Sequence, residues 1–168
     1  MNRRLELGVV ALIAVLDQFT KLLVVARMEL YQTIPIVPGL LNLTHIRNSG
    51  VAFGLFNTAE FSYKPAVMAL VALLALVGVG LYAAQLPASH RWARGGLALI
   101  LGGAAGNLVD RARQGYVVDF VDAYWNGWHF WAFNVADAAI SVGVGLLIID
   151  LFRSEAAAPP AVEEPRVS

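Results

Sequence analysis

The feature that most constrains this chain is an apolar stretch from Pro65 to Leu86 with no charged residue inside it. Its length matches the roughly 20 residues that an α-helix needs to cross the hydrocarbon core of a bilayer. Pro65 suits the first turn of a helix, and Pro87 stops one. The stretch therefore predicts a membrane-spanning helix.

Three other apolar stretches have a similar length and predict further spans. With the first, they place transmembrane helices at about 5–27, 65–86, 92–111 and 131–152. The composition agrees, because 58% of the residues are hydrophobic and 14% are charged, against about 45–50% and about 25% in soluble domains. We therefore expect a mainly α-helical membrane protein with four transmembrane helices in a single domain over residues 1–153.

The connections between the predicted spans differ in length and character. Residues 28–64, between the first and second spans, contain strand-like runs such as 40–46 and predict a small β element on the membrane surface. A short interfacial helix can follow over 53–61. A loop over 113–130 is rich in Tyr and Trp, which favour the headgroup layer. The tail, 154–168, is rich in Pro, Ala and Glu and predicts disorder.

Basic residues predict the orientation in the membrane, because cytoplasmic loops are enriched in Lys and Arg. With an even number of spans, both termini lie on one side. That side carries Arg3, Arg4, Arg91, Arg94, Arg153 and Arg166, and the other carries Arg27, Arg47, Lys64, Arg111 and Arg113 over two longer loops. The pair directly before the first span and the two arginines of the short turn favour cytoplasmic termini, which places both long loops outside.

Composition also excludes several kinds of site. The formal net charge is +0, so no basic field points to nucleic acid. The chain has no cysteine, which removes disulfides, thiol nucleophiles and thiolate metal sites. His45, His90 and His129 are far apart in sequence and show no metal-ligand spacing. Composition therefore gives no sign of a nucleic-acid partner and supports a zinc site poorly.

Ionisable residues inside a membrane helix are costly and mark candidate functional sites. The first span contains Asp17 and Lys21, which lie one turn apart on the same helix face. An internal ion pair that orients the helix is favoured over catalysis by Lys21, because a lysine paired with an aspartate stays charged and is a poor base.

The third span carries a glycine motif followed by polar residues. Gly103, Asn107 and Arg111 recur every four residues and share one face. Gly102 and Gly106 allow another helix to approach closely. Packing alone does not account for the polar residues, so a role in supporting a site is favoured. An alternative for Arg111 is an anchor for headgroup phosphates.

Two aspartates stand at the outer ends of the last two spans. Asp119 follows the third span, and Asp137 lies in the first turns of the fourth, after a candidate cap at Asn134. Because these spans run in opposite directions, the two aspartates are expected at the same depth. Two close carboxylates share a proton and can activate a water for attack on a peptide carbonyl. A capping carboxylate at Asp137, a cation site and a proton relay are the alternatives.

Five short segments carry these residues in a definite order along the chain. They are DQFTK at 17–21, NSGVAFG at 48–54, GGAAGNLVDR at 102–111, VDF at 118–120 and FNVAD at 133–137. Taken together, they resemble the bacterial lipoprotein signal peptidase family, signal peptidase II. The match runs from about residue 5 to 152 in the family's order and spacing. One departure is Ser49-Gly50-Val51, where the family commonly has Thr-Gly-Ala.

The resemblance implies an intramembrane aspartic endopeptidase of the bacterial inner membrane, with four transmembrane helices and a periplasmic β-cradle between the first and second. It implies removal of signal peptides from diacylglyceryl-modified prolipoproteins, by cleavage before the lipidated cysteine, without metal or cofactor. The family's catalytic aspartates fall on Asp119 and Asp137, in preference to the nearby Asp122. Its supporting positions fall on Asp17, Lys21, Asn48, Gly50, Gly103, Asn107, Arg111, Asn134 and Ala136.

Further hypotheses accompany this assignment. The partners are the prolipoprotein and membrane lipid, the active site lies at the periplasmic face, and the enzyme works as a monomer. The segment 48–61 is expected to cover the site and to discriminate lipidated from unlipidated substrate, with Phe53 and Phe56 as the positions that test it. Asn107 and Arg111 are expected to bind peptide backbone or lipid headgroup.

Three other functions compete with this one. A small ion or proton transporter needs charges along a path, and the second span has none in its interior. A non-catalytic assembly subunit gives no reason for two aspartates at one interface. A serine–lysine peptidase needs a serine near Lys21, and none is close in sequence.

Overall fold

The computed structural model describes residues 2–50 and 61–156, and this part of the chain forms four α-helices. They are α1 (Arg3–Arg27), α2 (Lys64–Gln85), α3 (Arg91–Gln114) and α4 (Val135–Ala156). Local chemistry explains several helix ends. Oδ1 of Asn2 accepts the N–H of Leu5 at 2.8 Å and caps α1, while Pro65 stands in the first turn of α2. α3 ends at Gly115, which adopts φ 80° in the left-handed region.

Membrane-crossing character differs among the helices. In the described part of the chain, α1, α2 and the stretch Val135–Arg153 of α4 are long and apolar enough to cross a membrane. α3 is long enough as well, with 24 residues, but its glycines and the polar run around Asn107 and Asp110 lower its apolar character. The chain is therefore a membrane protein, with three helices that qualify by composition and one that does not.

Helix α3 is the centre of the bundle, because α1, α2 and α4 all pack against it. Its glycines permit the close approach. A Cβ on Gly102 would lie 2.8 Å from Cβ of Ile13 in α1, and a Cβ on Gly96 would lie 2.5 Å from the carbonyl oxygen of Gly143 in α4. Both distances are shorter than side-chain carbons tolerate, so glycine at these positions sets the spacing of the helices.

The start of α4 corrects the boundary predicted at residue 131. The helix begins at Val135, because Phe133 is still extended and forms a β-bridge with Val121. At the other end, α4 continues to Ala156, past the start of the tail predicted at 154. Residues 157–168 of that tail lie outside the described part of the chain, as do residues 51–60, where most of a short interfacial helix was predicted.

The described strands form one four-stranded antiparallel sheet with the order β1-β2-β3-β4. They are β1 (Thr33–Val37), β2 (Leu41–Asn48), β3 (Val117–Trp125) and β4 (Trp128–His129). The prediction of a β element confined to 28–64 is therefore wrong in extent, since two strands come from the loop between α3 and α4. The first residues of β3 are buried on both faces, so the strand lacks the alternation that marks a half-exposed strand.

The sheet packs over the end of α1 through a small apolar core. Val24 and Met28 of α1 meet Val118 and Phe120 of β3, and all four side chains are buried. β2 pairs with β3 through a register that shifts between Leu43 and Ile46. This packing holds the middle of β3 directly above the bundle.

The far end of the sheet is an aromatic hairpin. Asn126 and Gly127 both have positive φ, 50° and 81°, which is the geometry of a tight two-residue hairpin turn. Trp125 and Trp128 flank the turn and are largely exposed, at 75% and 65%. In a membrane protein, side chains of this type favour the headgroup layer.

Candidate active site

Asp119 lies in β3 opposite Ile46 of β2, and only 2% of the residue is exposed. Each of its carboxylate oxygens accepts a hydrogen bond from an amide. Nδ2 of Asn134 lies 2.7 Å from Oδ1, and Nδ2 of Asn48 lies 3.0 Å from Oδ2. Two neutral donors from two different elements therefore fix the direction of this carboxylate.

Asp137 lies in the first turn of α4 and forms a capping box with Asn134. The N–H of Asp137 donates to Oδ1 of Asn134 at 2.9 Å, and the N–H of Asn134 donates to Oδ2 of Asp137 at 3.3 Å. The other oxygen of Asp137 accepts Nδ2 of Asn107 at 2.7 Å. The capping role expected for Asp137 is thus present, together with a contact from α3 that a cap does not need.

The two aspartates influence each other electrostatically. Burial, reinforced by the negative charge of Asp137, raises the pKa of Asp119 to about 7. The hydrogen bonds from Asn48 and Asn134 and the positive charge of Lys21 act in the opposite direction. Near neutral pH the carboxyl of Asp119 can therefore still hold a proton, which an ordinary exposed aspartate has already lost.

Lys21 is held at the base of this site by three neighbours. Its Nζ lies 2.8 Å from Oδ2 of Asp17, 2.8 Å from Oδ2 of Asp110 and 2.9 Å from Oδ1 of Asn107. Only 3% of Lys21 is exposed. The expected ion pair with Asp17 forms, and Nζ of Lys21 contacts three oxygens from α1 and α3.

Helix α4 is pinned to α1 and α3 beside the site. Oδ1 of Asp17 accepts the N–H of Ala136 at 3.0 Å. A Cβ on Gly106 would lie 2.5 Å from Oδ2 of Asp17, and a Cβ on Gly103 would press on the carbonyl oxygen of Ala136. Small residues are needed at Gly103, Gly106 and Ala136, because the three helices meet here with buried polar atoms between them.

The end of β2 is tied to α3 by Arg111. One guanidinium nitrogen donates to the carbonyl oxygen of Gly50 at 3.0 Å, and another donates to that of Asn107 at 3.3 Å. The N–H of Gly50 donates to Oδ1 of Asn48 at 3.0 Å, which leaves Nδ2 of Asn48 to face Asp119. Arg111 therefore contacts backbone of this chain and supports the amide that orients Asp119.

Comparison with known proteins assigns the family. The family model for Signal peptidase (SPase) II matches residues 9–153, which is most of the chain. The chain belongs to the signal peptidase II family. Membership makes it a peptidase of the aspartic class, and confirms the family expected from the five sequence segments.

Similar proteins cover nearly the same length. A lipoprotein signal peptidase of Geobacter metallireducens is 46% identical over 154 residues, covering 92% of this chain and 94% of that protein. One from Geobacter sulfurreducens is 48% identical over 141 residues, covering 84% and 87%. Two solved structures described as a bacterial membrane enzyme are each 26% identical, with TM-scores of 0.82 and 0.80. They cover 96% and 90% of this chain, and 96% and 94% of their own chains.

One residue of this signal peptidase II site, Asp110, is missing from the predicted site residues. Asp110 accepts hydrogen bonds from Lys21 at 2.8 Å, from Nε2 of Gln18 at 2.9 Å and from the N–H of Val118 at 3.4 Å. It therefore links α1, α3 and the start of β3, next to Asp119. The signal was present, because Asp110 lies in a buried helix one turn from Asn107, but its partners belong to distant parts of the chain.

Asp122, the sequence competitor of Asp119, points elsewhere. It accepts Nδ2 of Asn42 at 2.8 Å and lies 2.9 Å from Nδ1 of His129 on the outer part of the sheet. Among the described residues, no group of three His, Asp or Glu side chains is placed to hold a metal ion. The covering segment expected at 48–61 falls mostly on residues 51–60, outside the described part of the chain, so its contact with the site stays a prediction.

Proposed function

We propose that this chain removes the signal peptide from diacylglyceryl-modified prolipoproteins, cutting just before the lipidated cysteine. The water that attacks the scissile carbonyl is activated between Asp119 and Asp137. One observation carries the proposal: the side-chain amide of Asn134 donates to the carboxylate of Asp119 and accepts the backbone N–H of Asp137, so both aspartates are positioned by one residue at the junction of the sheet and the bundle. Family membership supports the substrate, since the relatives named above are lipoprotein signal peptidases.

The environments of the two aspartates suggest their roles. Asp119 holds the shared proton near neutrality, because burial and the charge of Asp137 raise its pKa to about 7. Asp137 is less buried than Asp119. In the proposed mechanism Asp137 takes a proton from the attacking water, while Asp119 donates its proton toward the carbonyl oxygen as the tetrahedral intermediate forms. When the C–N bond of the intermediate breaks, the proton on Asp137 passes to the leaving amine, and a hydroxyl of the intermediate returns a proton to Asp119 as the new carboxyl group forms.

The surrounding polar residues serve this reaction by preorganising the pair. Lys21 donates to Oδ1 of Asn107, which leaves Nδ2 of Asn107 to donate to Asp137. Gly50 orients the amide of Asn48 toward Asp119 in the same way. Donors fixed before the substrate arrives need no reorganisation during the reaction, which is a main source of enzymatic rate enhancement.

The site fits a reaction at a membrane surface. We propose that all four helices cross the inner membrane, α3 included, because its polar residues face protein rather than lipid. The termini are then cytoplasmic, and the sheet with the aromatic hairpin lies at the periplasmic face. Exposed Trp125 and Trp128 support this placement, since they fall where the headgroup layer is expected. The cleavage site of a lipidated substrate lies at that same depth.

The distribution of charge disfavours a transporter. No ionisable residue of α3 lies between Arg94 and Asp110, so the central helix offers no continuous path of charges across the bilayer.

The decisive experiment is cleavage of a diacylglyceryl-modified prolipoprotein by purified Asp119→Asn and Asp137→Asn variants, with Asp122→Asn as the matched control. Loss of either acid–base group should lower kcat/KM by about 10²–10⁴-fold, while Asp122→Asn should retain activity. Thermal unfolding and binding of uncleaved substrate show whether each variant is folded. Full activity of either dyad variant would exclude that residue from the chemistry. Equal cleavage of an unlipidated substrate would overturn the proposed specificity.

A further inference from the structure

A cleft separates α1 from α2 at the end of the bundle remote from Asp119. Its volume is about 200 Å³. The apolar part is lined by Leu7 and Val10 of α1, Gly80, Ala83 and Ala84 of α2, and Leu97, Ala98 and Leu101 of α3. The α2 side of the cleft carries only Gly and Ala, so their short side chains leave a gap in the helix packing.

The arrangement of the helices leaves this gap open. Helices α1 and α2 both pack on α3 but hardly contact each other in the described part of the chain. Protein interiors are packed as densely as organic crystals, and an apolar gap of this size between membrane helices loses dispersion contacts unless something fills it. The surrounding medium that can fill it is lipid.

A polar cluster closes the end of the cleft. Arg94 of α3 donates to both carboxylate oxygens of Glu6 in α1, at 2.6 and 2.7 Å, and to the carbonyl oxygen of Leu86 after α2, at 2.7 Å. Arg94 and Glu6 thus neutralise each other and tie the three helices together. Arg3 also lines the cleft. Because Glu6 pairs with Arg94, Arg3 has no carboxylate partner among the described residues.

We propose that this cleft binds a glycerophospholipid with an anionic headgroup, one acyl chain lying in the gap and the phosphate at Arg3. The lining charges sum to one positive charge, which complements a phosphate, and guanidinium groups bind phosphate through charge-assisted hydrogen bonds. Sites for drug-sized ligands span about 300–1,000 Å³, so this smaller cleft accommodates part of a single chain. The lipid belongs to the leaflet opposite the active site and is not the substrate.

The cleft can be filled by one substitution that has a close control. A Cβ on Gly80 would lie 3.9 Å from Cδ2 of Leu101, an ordinary contact, so Gly80→Leu places its side chain in the cleft without a clash at Cβ. Gly78 lies on the same helix, and a Cβ there meets nothing within 4 Å. Gly78→Leu therefore adds the same side chain outside the cleft.

The test is native mass spectrometry of the purified full chain after titration with phosphatidylglycerol or with phosphatidylcholine of the same acyl chains. Gly80→Leu should weaken phosphatidylglycerol binding by about tenfold, the effect of losing roughly two buried methylene groups, while Gly78→Leu should bind as the unmodified protein does. Equal binding by the two glycine variants would overturn the proposal. Prolipoprotein cleavage by both variants verifies that they are folded.

The headgroup is tested separately with Arg3→Gln and the control Arg4→Gln. Arg4 neighbours Arg3 but does not line the cleft. Arg3→Gln should weaken phosphatidylglycerol binding by about tenfold, the effect of losing one charge-assisted hydrogen bond. Unchanged binding in Arg3→Gln, or an equal loss in Arg4→Gln, would overturn the assignment of the phosphate to Arg3.

Discussion

The side chain of Asn134 donates a hydrogen bond of 2.7 Å to Oδ1 of Asp119. The other end of the same amide accepts the N–H of Asp137 at 2.9 Å and caps α4. A helix cap and the alignment of the two aspartates are therefore one interaction. The start of α4 cannot shift without moving the donor that orients Asp119.

Substitutions at Asn134 can separate its two roles, the cap of α4 and the hydrogen-bond donor to Asp119. Asp caps helices about as well as Asn, but it has no N–H to donate and brings a third carboxylate against Asp119. We expect Asn134→Asp to lower kcat/KM for prolipoprotein cleavage by about 10²-fold or more. Asn134→Ala should lose activity and also about 1 kcal/mol of stability from the missing cap.

Cleavage assays and thermal unfolding in detergent distinguish these effects. If Asn134→Asp were as active as the unmodified protein while Asn134→Ala was inactive, the cap alone would explain the need for this residue, and the donor to Asp119 would have no role.

The pH dependence of cleavage follows from the pKa of Asp119. Because that pKa is raised to about 7, the carboxyl keeps its proton below this pH and loses it above. We therefore expect kcat/KM to fall as pH rises through about 7. The hydrogen bond from Asn48 favours the ionised form, so Asn48→Ala should raise the pKa and move this fall to higher pH.

The measurement is kcat/KM against pH for the unmodified protein and for the residual activity of Asn48→Ala. A shift of the alkaline limb toward lower pH in the variant would contradict the role assigned to Asn48. Constant activity from pH 6 to 9 would contradict the requirement for a proton on Asp119.

Two glycines of α3 test the packing that carries Asp137. In Gly103→Ala the added carbon would press on the carbonyl oxygen of Ala136, directly before Asp137. Overpacking of this kind typically costs about 1–3 kcal/mol, and we expect lower thermal stability together with a loss of activity. Gly95→Ala is the control, since a Cβ there meets nothing within 4 Å. It should be neutral or stabilising by up to about 1 kcal/mol. Equal thermal stability and activity of the two variants would mean that the helices shift to accommodate the added carbon at Gly103.

Substitution of Asp110 should lower the free energy of unfolding, although Asp110 is not among the predicted site residues. Removing one member of a buried ion pair typically costs about 3–5 kcal/mol, and Asp110→Asn leaves Lys21 with a single carboxylate, Asp17. Asp122→Asn replaces the same side chain on the outer sheet, where we expect a cost below about 1 kcal/mol. Thermal unfolding of the two variants checks this order, and a larger loss in Asp122→Asn would contradict it.

Part of the site can be predicted from rules that relate neighbouring residues in the sequence. The pairing of Asp17 with Lys21 follows from their spacing by one helical turn, and the cap at Asn134 follows from its place before an apolar run. The expected depth of Asp119 and Asp137 follows from the opposite directions of two adjacent helices. Each of these inferences needs only neighbours in sequence or a single turn of the chain.

Other parts of the site depend on contacts between distant segments. Gln18 and Asp110 are 92 residues apart, and no periodicity connects them. The sequence predicts a loop where the strand that carries Asp119 lies. Its first residues, 117–120, are buried on both faces and include a charge, so they lack the alternation of polar and apolar residues that marks a strand. Its identity as a strand comes from pairing with β2, which the local sequence of β3 does not reveal.

The assembly of the sheet from two loops has a consequence for biosynthesis. Asn48 and Asp119 are separated by 71 residues, and Asp17 and Ala136 by 119. At about 5–20 residues per second, the ribosome delivers these partners many seconds apart. A nascent chain with three helices inserted has neither Asp137 nor the cap that orients Asp119. If Asp119 and Asp137 are the catalytic pair, as proposed above, the proteolytic centre is completed only when the last helix joins the bundle, so an unfinished chain has no means of cutting its neighbours.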